Sequence, residues 1–308
     1  MSEETIKQIS ENEIEINNNL ILYKNKVLGK GGFGEIFLGE YILNHYPLAI
    51  KVESTKTNPH LEKEYEIMNL IKNNNCFPYP YKFIKTEEKN YLIMELLGQS
   101  LDSLFTSFKK QFSIPLICSL AFQMTKNLEN LHLKGIIHRD IKLGNFLIGT
   151  GNKKHKIFLI DFGLAKKYVD ENNKHIKNKE KKGLTGTARF VSLFTHKGFE
   201  QSRRDDIESL SYNLIYLAKR NLPWIGIRAK NKKEKHKKIY LKKLKVTPEI
   251  ICKGLPEEFE ILLKYSRELK FEEEPDYSSI QMMFKNLLES FGDDLDKKFF
   301  WEEELNQI

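Results

Sequence analysis

The chain has 308 residues, 40% hydrophobic and 30% charged, a globular balance that suffices for one large domain or two lobes. Mean hydropathy is −0.49 and no apolar run reaches the roughly 18–20 residues of a membrane span, which excludes a transmembrane helix. A net charge of +8 admits nucleic acid, acidic lipid or acidic protein segments as partners, while three scattered cysteines without a C-x-x-C pair (Cys76, Cys118, Cys252) read as reduced, buried thiols.

Residues 1–19 read as a polar extension, too acidic for a secretory or mitochondrial signal, so the expected compartment is cytoplasm, nucleus or both. Short segments at 23–29, 35–41 and 48–53 are rich in Val, Ile, Leu and aromatics and punctuated by glycine, which predicts strands. Residues 58–73 predict a helix with Pro59 near its start and Leu61, Ile67, Leu70 and Ile71 on one face. Residues 81–96 predict a hairpin turning at 86–90. A joint falls at 96–100, and beyond it the pattern becomes helical. The clearest helix is 114–133, with Leu120, Met124, Leu128 and Leu131 on one stripe; others fall near 205–217, 256–269 and 277–288. The lysine-rich run 230–245 reads as a solvated helix face, or as a surface for anionic substrate, nuclear import or nucleic acid. No repeat period is visible. The chain therefore divides into a strand-rich part, 20–97, a larger helical part, 98–291, and a short tail, 292–308.

The chemistry-bearing residues come in order. In "LGKGGFGEIFLG", Gly29, Gly31 and Gly34 have a G-x-G-x-x-G spacing, but a strand follows, which a Rossmann turn does not allow. A strand–glycine–strand hairpin lets backbone amides approach phosphates, with Phe33 at the tip. A plain hairpin turn is the alternative. "LAIK" ends the third predicted strand with Lys51, a lysine among apolar residues that needs a partner; Glu64 of the next helix is the natural one, with Glu62 and Glu66 left as surface charges. In "IIHRDIKLGNFLIG", Asp140, Lys142 and Asn145 stand between apolar stretches. Asp140 can take a proton from an attacking hydroxyl, Lys142 can neutralise phosphoryl charge and Asn145 can hold a metal ion. His138 reads as packed and structural. "FLIDFG" then places Asp161 at the end of an apolar strand, where a carboxylate suits Mg²⁺.

The ordered set of glycine hairpin, strand lysine, helix glutamate, H-R-D-x-x-x-x-N and D-F-G resembles a eukaryotic protein kinase from about Tyr23 to Leu288. "MELLGQSLDSLF", "DFGLAKKY", "LTGTAR", "EQSRRDDIESL", "LPWIGIRA", "CKGLPEEF" and "EEEPDYS" make it similar to casein kinase I. The vaccinia-related and tau-tubulin kinase branches share the general motifs, and "EQSRRDDIESL" favours casein kinase I proper. Two departures mark a divergent member. Ser192-Leu193-Phe194 stands where the family has S-I-N, and Leu143 stands where it has a proline after the lysine.

The resemblance implies a bilobal α+β fold, with a small antiparallel N-lobe sheet carrying one main helix and a larger helical C-lobe. It implies ATP and Mg²⁺. Leu28, Ile36, Ala49, Leu97, Leu147 and Ile160 would enclose the adenine. The backbone of Glu95 and Leu97 would bond its edge, with Met94 as gatekeeper. Gly29, Lys30, Gly31, Gly32, Phe33 and Gly34 would form the phosphate lid. Lys51, fixed by Glu64, would hold phosphates, and Asp161 and Asn145 the metal. Asp140 would orient and deprotonate a substrate Ser or Thr, assisted by Lys142. Thr187 would bond near these two residues, and Asp206 would brace the loop backbone. Arg189, Lys235, the backbone at Gly226 and nearby Lys182 would form an anion pocket reading an acidic or phosphorylated residue N-terminal to the target. The alternative for Arg189 is pairing with a loop carboxylate.

The implied partners are protein substrates with acidic or phosphorylated Ser/Thr sites and ATP-competitive inhibitors. A monomer is expected. Nucleic acid is not, because aromatics are not interleaved with the basic run. A pseudokinase is the rival class, and the presence of Lys51, Asp140, Asn145 and Asp161 speaks against it. Phe299, Phe300 and Trp301 are expected to dock on the large lobe, without strong autoinhibition by the tail.

Overall fold

Alternating Glu and Ile at 13–16 starts a sheet earlier than the glycine hairpin. The computed structural model describes residues 6–31, 34–56, 59–296, 299 and 301. The chain falls into two units. One runs up to Gly98 and includes Ile160–Gly163; the other holds Gln99–Leu159 and the chain from Leu164 onward.

The first unit is a seven-stranded antiparallel sheet. Its strands are β1 (Ile6–Gln8), β2 (Glu13–Ile16), β3 (Leu20–Gly31), β4 (Gly34–Tyr41), β5 (Pro47–Ser54), β6 (Pro80–Lys85) and β7 (Lys89–Glu95), in the order β1-β2-β3-β4-β5-β7-β6. The polar extension expected over 1–19 is thus corrected for residues 6–16, which pair into the sheet. The reason is period two: Ile14 and Ile16 point one way while the glutamates between them do not, and Ile16 is fully buried with Leu20, Leu22, Leu48, Ile50, Ile84, Tyr91 and Ile93. The "LAIK" strand is consequently the fifth, not the third.

One helix, α1 (Leu61–Ile71), belongs to this unit. It starts at Leu61 because the buried Glu53 carboxylate on β5 accepts the backbone N–H groups of His60 (2.9 and 3.1 Å) and Leu61 (3.0 Å), the cap that His60 itself does not supply. Asn58, where that helix was expected to begin, lies outside the described residues. Its buried face is Leu61, Glu64, Ile67, Met68 and Ile71; Leu70, expected there, is exposed.

The second unit is mostly helical. Its elements are α2 (Leu101–Ser107), α3 (Ile114–His132), α4 (Leu193–Lys197), α5 (Arg203–Lys219), α6 (Lys232–Lys245), α7 (Pro248–Cys252), α8 (Glu257–Glu268) and α9 (Tyr277–Ser290). Small antiparallel ladders join β8 (Ile136–Ile137) to β11 (Lys166–Lys167) and β9 (Phe146–Ile148) to β10 (Ile157–Leu159). The α3 stripe Leu120, Met124, Leu128 and Leu131 is fully buried, and α3 packs on α5 and α9. Helix α5 is buried on nearly every face from Arg204 to Leu217, which explains why its apolar residues carry no clear stripe. Helix α6 has the expected lysine face, with one exception: Lys243 is fully buried. Cys118 and Cys252 are buried, whereas Cys76 is half-buried, a partial correction to the expectation for the three thiols.

Phe299 and Trp301 are buried, their rings stacked at 4.5 Å and Trp301 lying 6.0 Å from Phe112. Phe300, expected beside them, lies outside the described residues. No helix among the described residues is long and apolar enough to cross a membrane.

Deleting the Ile16 side chain tests the early strands. Ile16→Ala should lower stability by about 2–5 kcal/mol, read as a shifted midpoint in urea denaturation followed by far-UV circular dichroism. An unchanged midpoint would show that β1 and β2 add nothing to the sheet.

Candidate active site

Two polar clusters stand out, one in each unit. In the first, Lys51 lies in the middle of β5, opposite Ile36 on β4 and Leu92 on β7. Its stem is surrounded by apolar strands, and only 5% of the residue is exposed. The ammonium donates to Glu64 Oε2 on α1 at 2.7 Å and to Asp161 Oδ1 at 3.0 Å. Glu64 Oε1 in turn accepts the N–H of Phe162 at 3.2 Å, which ties α1 to the Asp161 segment. Burial alone would push the Lys51 pKa down; the charges of Glu64 and Asp161 outweigh it and hold the ammonium above the ordinary lysine range. Asp161 takes a left-handed conformation (φ 66°).

The glycine hairpin lies in the same unit. Gly34 has φ +128°, and a Cβ there would stand 2.2 Å from Val52 O, so no other residue fits this close approach of β4 to β5. Lys30 pairs with Glu35 at 2.6 Å on the hairpin surface. Gly29 faces Ile36 and Gly31 faces Gly34 across the β3–β4 ladder. Gly32 and Phe33 lie outside the described residues. Ala49 sits opposite Met94. Leu28 is half exposed; Ile36, Met94, Glu95, Leu97 and Ile160 are half-buried.

The second cluster centres on Asp140. Lys142 Nζ donates to its Oδ2 at 2.6 Å, and Oδ1 accepts both the N–H (2.8 Å) and the hydroxyl (2.7 Å) of Thr187. Thr187 gets this close because its neighbour is Gly186: φ is +100°, and a Cβ would meet Arg139 O at 2.3 Å. Asn145 is buried and donates its amide N–H to Asp140 O at 2.9 Å. Leu147 on β9 faces Phe158 in the ladder with β10 and bridges to Ser100.

The loop carrying these groups is braced by α5. Asp206 accepts the N–H groups of His138 (2.7 Å) and Arg139 (2.9 Å). Seven residues on, on the same face of the helix, Asn213 accepts the N–H of Leu143 (3.1 Å) and donates to Ile141 O (3.0 Å). His132 Nε2 lies 3.0 Å from Asp206 and donates its N–H to the carboxylate, and its Nδ1 shares a hydrogen bond with the Tyr277 hydroxyl at 2.6 Å. Burial would raise the Asp206 pKa; the hydrogen bond and charge of His132, the charge of His138 and the His138 N–H outweigh it and keep the carboxyl below its ordinary value. His138 is fully buried. Arg139, with φ 70°, donates through Nε to Leu164 O at 2.6 Å. His132 and Asn213 were not singled out in the sequence. The legible signal was the i, i+7 spacing of Asp206 and Asn213 on the helix expected near 205–217.

Four residues had been grouped as an anion pocket. Arg189 is exposed, its guanidinium 5.6 Å from the Phe190 ring and 5.7 Å from the Tyr216 ring, and among the described residues no carboxylate pairs with it. Its carbonyl accepts the indole N–H of Trp224 at 2.8 Å, which puts exposed Gly226 (φ +82°) two residues from that contact. Lys235 is exposed on the first turn of α6. Lys182 is held differently: its ammonium is 3.3 Å from Glu200, which also pairs with Lys166 at 3.0 Å. Ser192, Leu193 and Phe194 are built into the scaffold. Ser192 caps α4 and its hydroxyl donates to the buried Asp205, Leu193 N–H donates to Glu208 at 3.1 Å, and the Arg204 guanidinium lies 3.5 Å over the Phe194 ring.

A carboxylate fixed at both oxygens and flanked by a lysine suits proton transfer beside developing negative charge. Asp161 and Asn145 offer a carboxylate and an amide oxygen, the hard donors that Mg²⁺ takes. No group of three His, Cys, Asp or Glu among the described residues could hold a metal by itself. A family model described as the protein kinase domain matches residues 22–290.

The brace gives a direct test. Asp206→Asn keeps the size and removes the charge that two loop N–H groups and His132 share. Hydrogen bonds to charged groups are worth about 1.5–3 kcal/mol each, so phosphoryl-transfer kcat should fall roughly 10- to 100-fold while KM for ATP moves little. A kcat within twofold of wild type would mean that the loop holds its shape without the carboxylate.

Proposed function

The chain belongs to the protein kinase family and so transfers phosphoryl groups from ATP to proteins with a divalent metal; from that footing, we propose that it is a Ser/Thr kinase of the casein kinase I type, selective for acidic or pre-phosphorylated segments. The observation that carries this reading is Arg189. It is exposed, it has no carboxylate partner among the described residues, and it lies two residues after Thr187, whose hydroxyl and N–H bind the Asp140 carboxylate. A planar guanidinium binds phosphate through two parallel N–H groups. Lys235 and the Gly226 backbone complete the set, whereas Lys182 supports the pocket through Glu200.

In this reading Asp140 receives the proton of the substrate hydroxyl as its oxygen attacks the γ-phosphorus, and the bond to the β-phosphate oxygen breaks to release ADP. Lys142 neutralises charge on the transferring group. Lys51, kept charged and fixed by Glu64, binds the phosphates. Gly29, Lys30, Gly31, Gly32, Phe33 and Gly34 cover them. Leu28, Ile36, Ala49, Met94, Leu97, Leu147 and Ile160 supply apolar contacts to the adenine, and the Glu95 and Leu97 backbone its hydrogen bonds. Asp161 and Asn145 would hold Mg²⁺, which when bound would supply positive charge to offset that of the phosphates. Rate enhancement then comes from positioning and electrostatics. The intact Lys51, Asp140, Asn145 and Asp161 favour activity over a pseudokinase scaffold.

Peptides carrying phosphoserine on the N-terminal side of the target Ser, compared with the unprimed sequence, test the assignment. Priming should raise kcat/KM about tenfold or more, in keeping with one well-placed charged contact, and Arg189→Ala should remove most of that gain. Equal rates on both peptides would overturn the pocket. Asp140→Asn should abolish transfer to either.

A further inference from the structure

The segment 188–193 has few backbone partners of its own. Phe190 and Val191 donate to Thr187 O at 2.8 and 3.1 Å, closing one turn. Ser192 O accepts the backbone N–H of His196 at 3.1 Å at the start of α4, and four more of the segment's backbone groups are taken by side chains from elsewhere in the fold. His196 Nε2 donates to Ala188 O at 3.1 Å, Trp224 Nε1 to Arg189 O at 2.8 Å and Lys243 Nζ to Val191 O at 2.5 Å, while Glu208 accepts from Leu193 N. The most costly of these is the lysine. Lys243 is fully buried, with its ammonium 4.5 Å from the centre of the Tyr212 ring and 5.1 Å from that of Trp224. Burial pushes its pKa down to about 7, with Glu208 pulling up and Arg267 pushing down. A buried charge is rarely the best way to fill apolar space, so packing alone does not call for a lysine in this cage.

We propose that Lys243 is a positioning residue for protein substrate: by holding Val191 O between the Tyr212 and Trp224 rings, it sets the path of the 188–193 backbone and hence the direction in which Arg189 is presented. The inference rests on reading this segment as the substrate-docking surface. The geometry supports the coupling, since Trp224 forms one wall of the lysine cage and also holds the Arg189 carbonyl. A shift of the lysine is passed to Arg189 through one rigid indole.

The test uses the full chain, ATP and whichever peptide the wild type phosphorylates best. Lys243→Met removes the donor and the charge but keeps the volume. KM for the peptide should rise about tenfold, the effect of a small misplacement of a binding group, while KM for ATP stays unchanged. Lys243→Gln keeps an N–H donor for Val191 O without a charge and should recover part of the loss. Peptide KM within twofold of wild type in both variants overturns the proposal, as does a parallel rise in KM for ATP. If the Met variant does not fold, the Gln variant decides by the same two constants: an intermediate peptide KM with normal ATP KM supports the role, and a wild-type peptide KM overturns it. The outcome is separable from the pocket assignment. If priming proves irrelevant in the wild type, Arg189 loses its anion-reading role, yet the effect of Lys243 on KM for any accepted peptide still stands or falls by itself.

Discussion

One buried carboxylate organises the helical unit. Asp206 accepts two consecutive N–H groups at the start of the loop that carries Asp140, Lys142 and Asn145. An ionised group without solvent is unfavourable unless every lone pair is used, and here His132 supplies the remaining partner. The same bonds that satisfy Asp206 fix the loop. Asn213 repeats the arrangement two turns further on, so one face of a rigid, fully packed helix dictates the backbone at both ends of the 138–143 stretch. The strained left-handed Arg139 persists because its neighbours over-determine it.

Both chemical clusters follow the same logic of buried charges held by more than one partner. Lys51 is tolerable inside a sheet because Glu64 and Asp161 both reach it, and Glu64 is positioned by the Phe162 N–H. Asp140 is oriented by Lys142 on one oxygen and Thr187 on the other, an arrangement that depends on a glycine at 186. Preorganisation of this kind puts the cost of ordering into folding, so little reorganisation remains for the moment of reaction.

The 188–193 segment is built by different means. It has few regular backbone bonds, and its shape is imposed by side chains from α4, α5, α6 and the chain at Trp224. Its backbone is rigid while the Arg189 side chain faces solvent. Ser192-Leu193-Phe194 belongs to this scaffold: the serine caps α4, the leucine N–H is held by Glu208 and the phenylalanine stacks under Arg204. These contacts close the segment with leucine and phenylalanine at positions 193 and 194.

Much of the fold was legible in local pattern. Period-two strands, the buried stripe of α3 and the pairing of Lys51 with Glu64 follow from spacing and from the cost of burying a lone charge. The short motifs placed Asp140, Asn145 and Asp161 for the same reason, since charged residues between apolar stretches need partners. What local pattern did not reveal depends on distant residues meeting. The first strands were hidden because a polar composition outweighed the Ile14–Ile16 alternation. His132, Asn213 and Lys243 acquire their places only when α3, α5 and α6 pack, and the exposed Lys182 pairs with Glu200. The sequence by itself determined which chemical groups are present, in what order, and on which kind of element. Tertiary structure decided which of those groups hold one another, because hydrogen bonds between residues some 50 to 150 positions apart, such as Lys243 to Val191 and His132 to Tyr277, are set by packing and leave no periodicity in the chain.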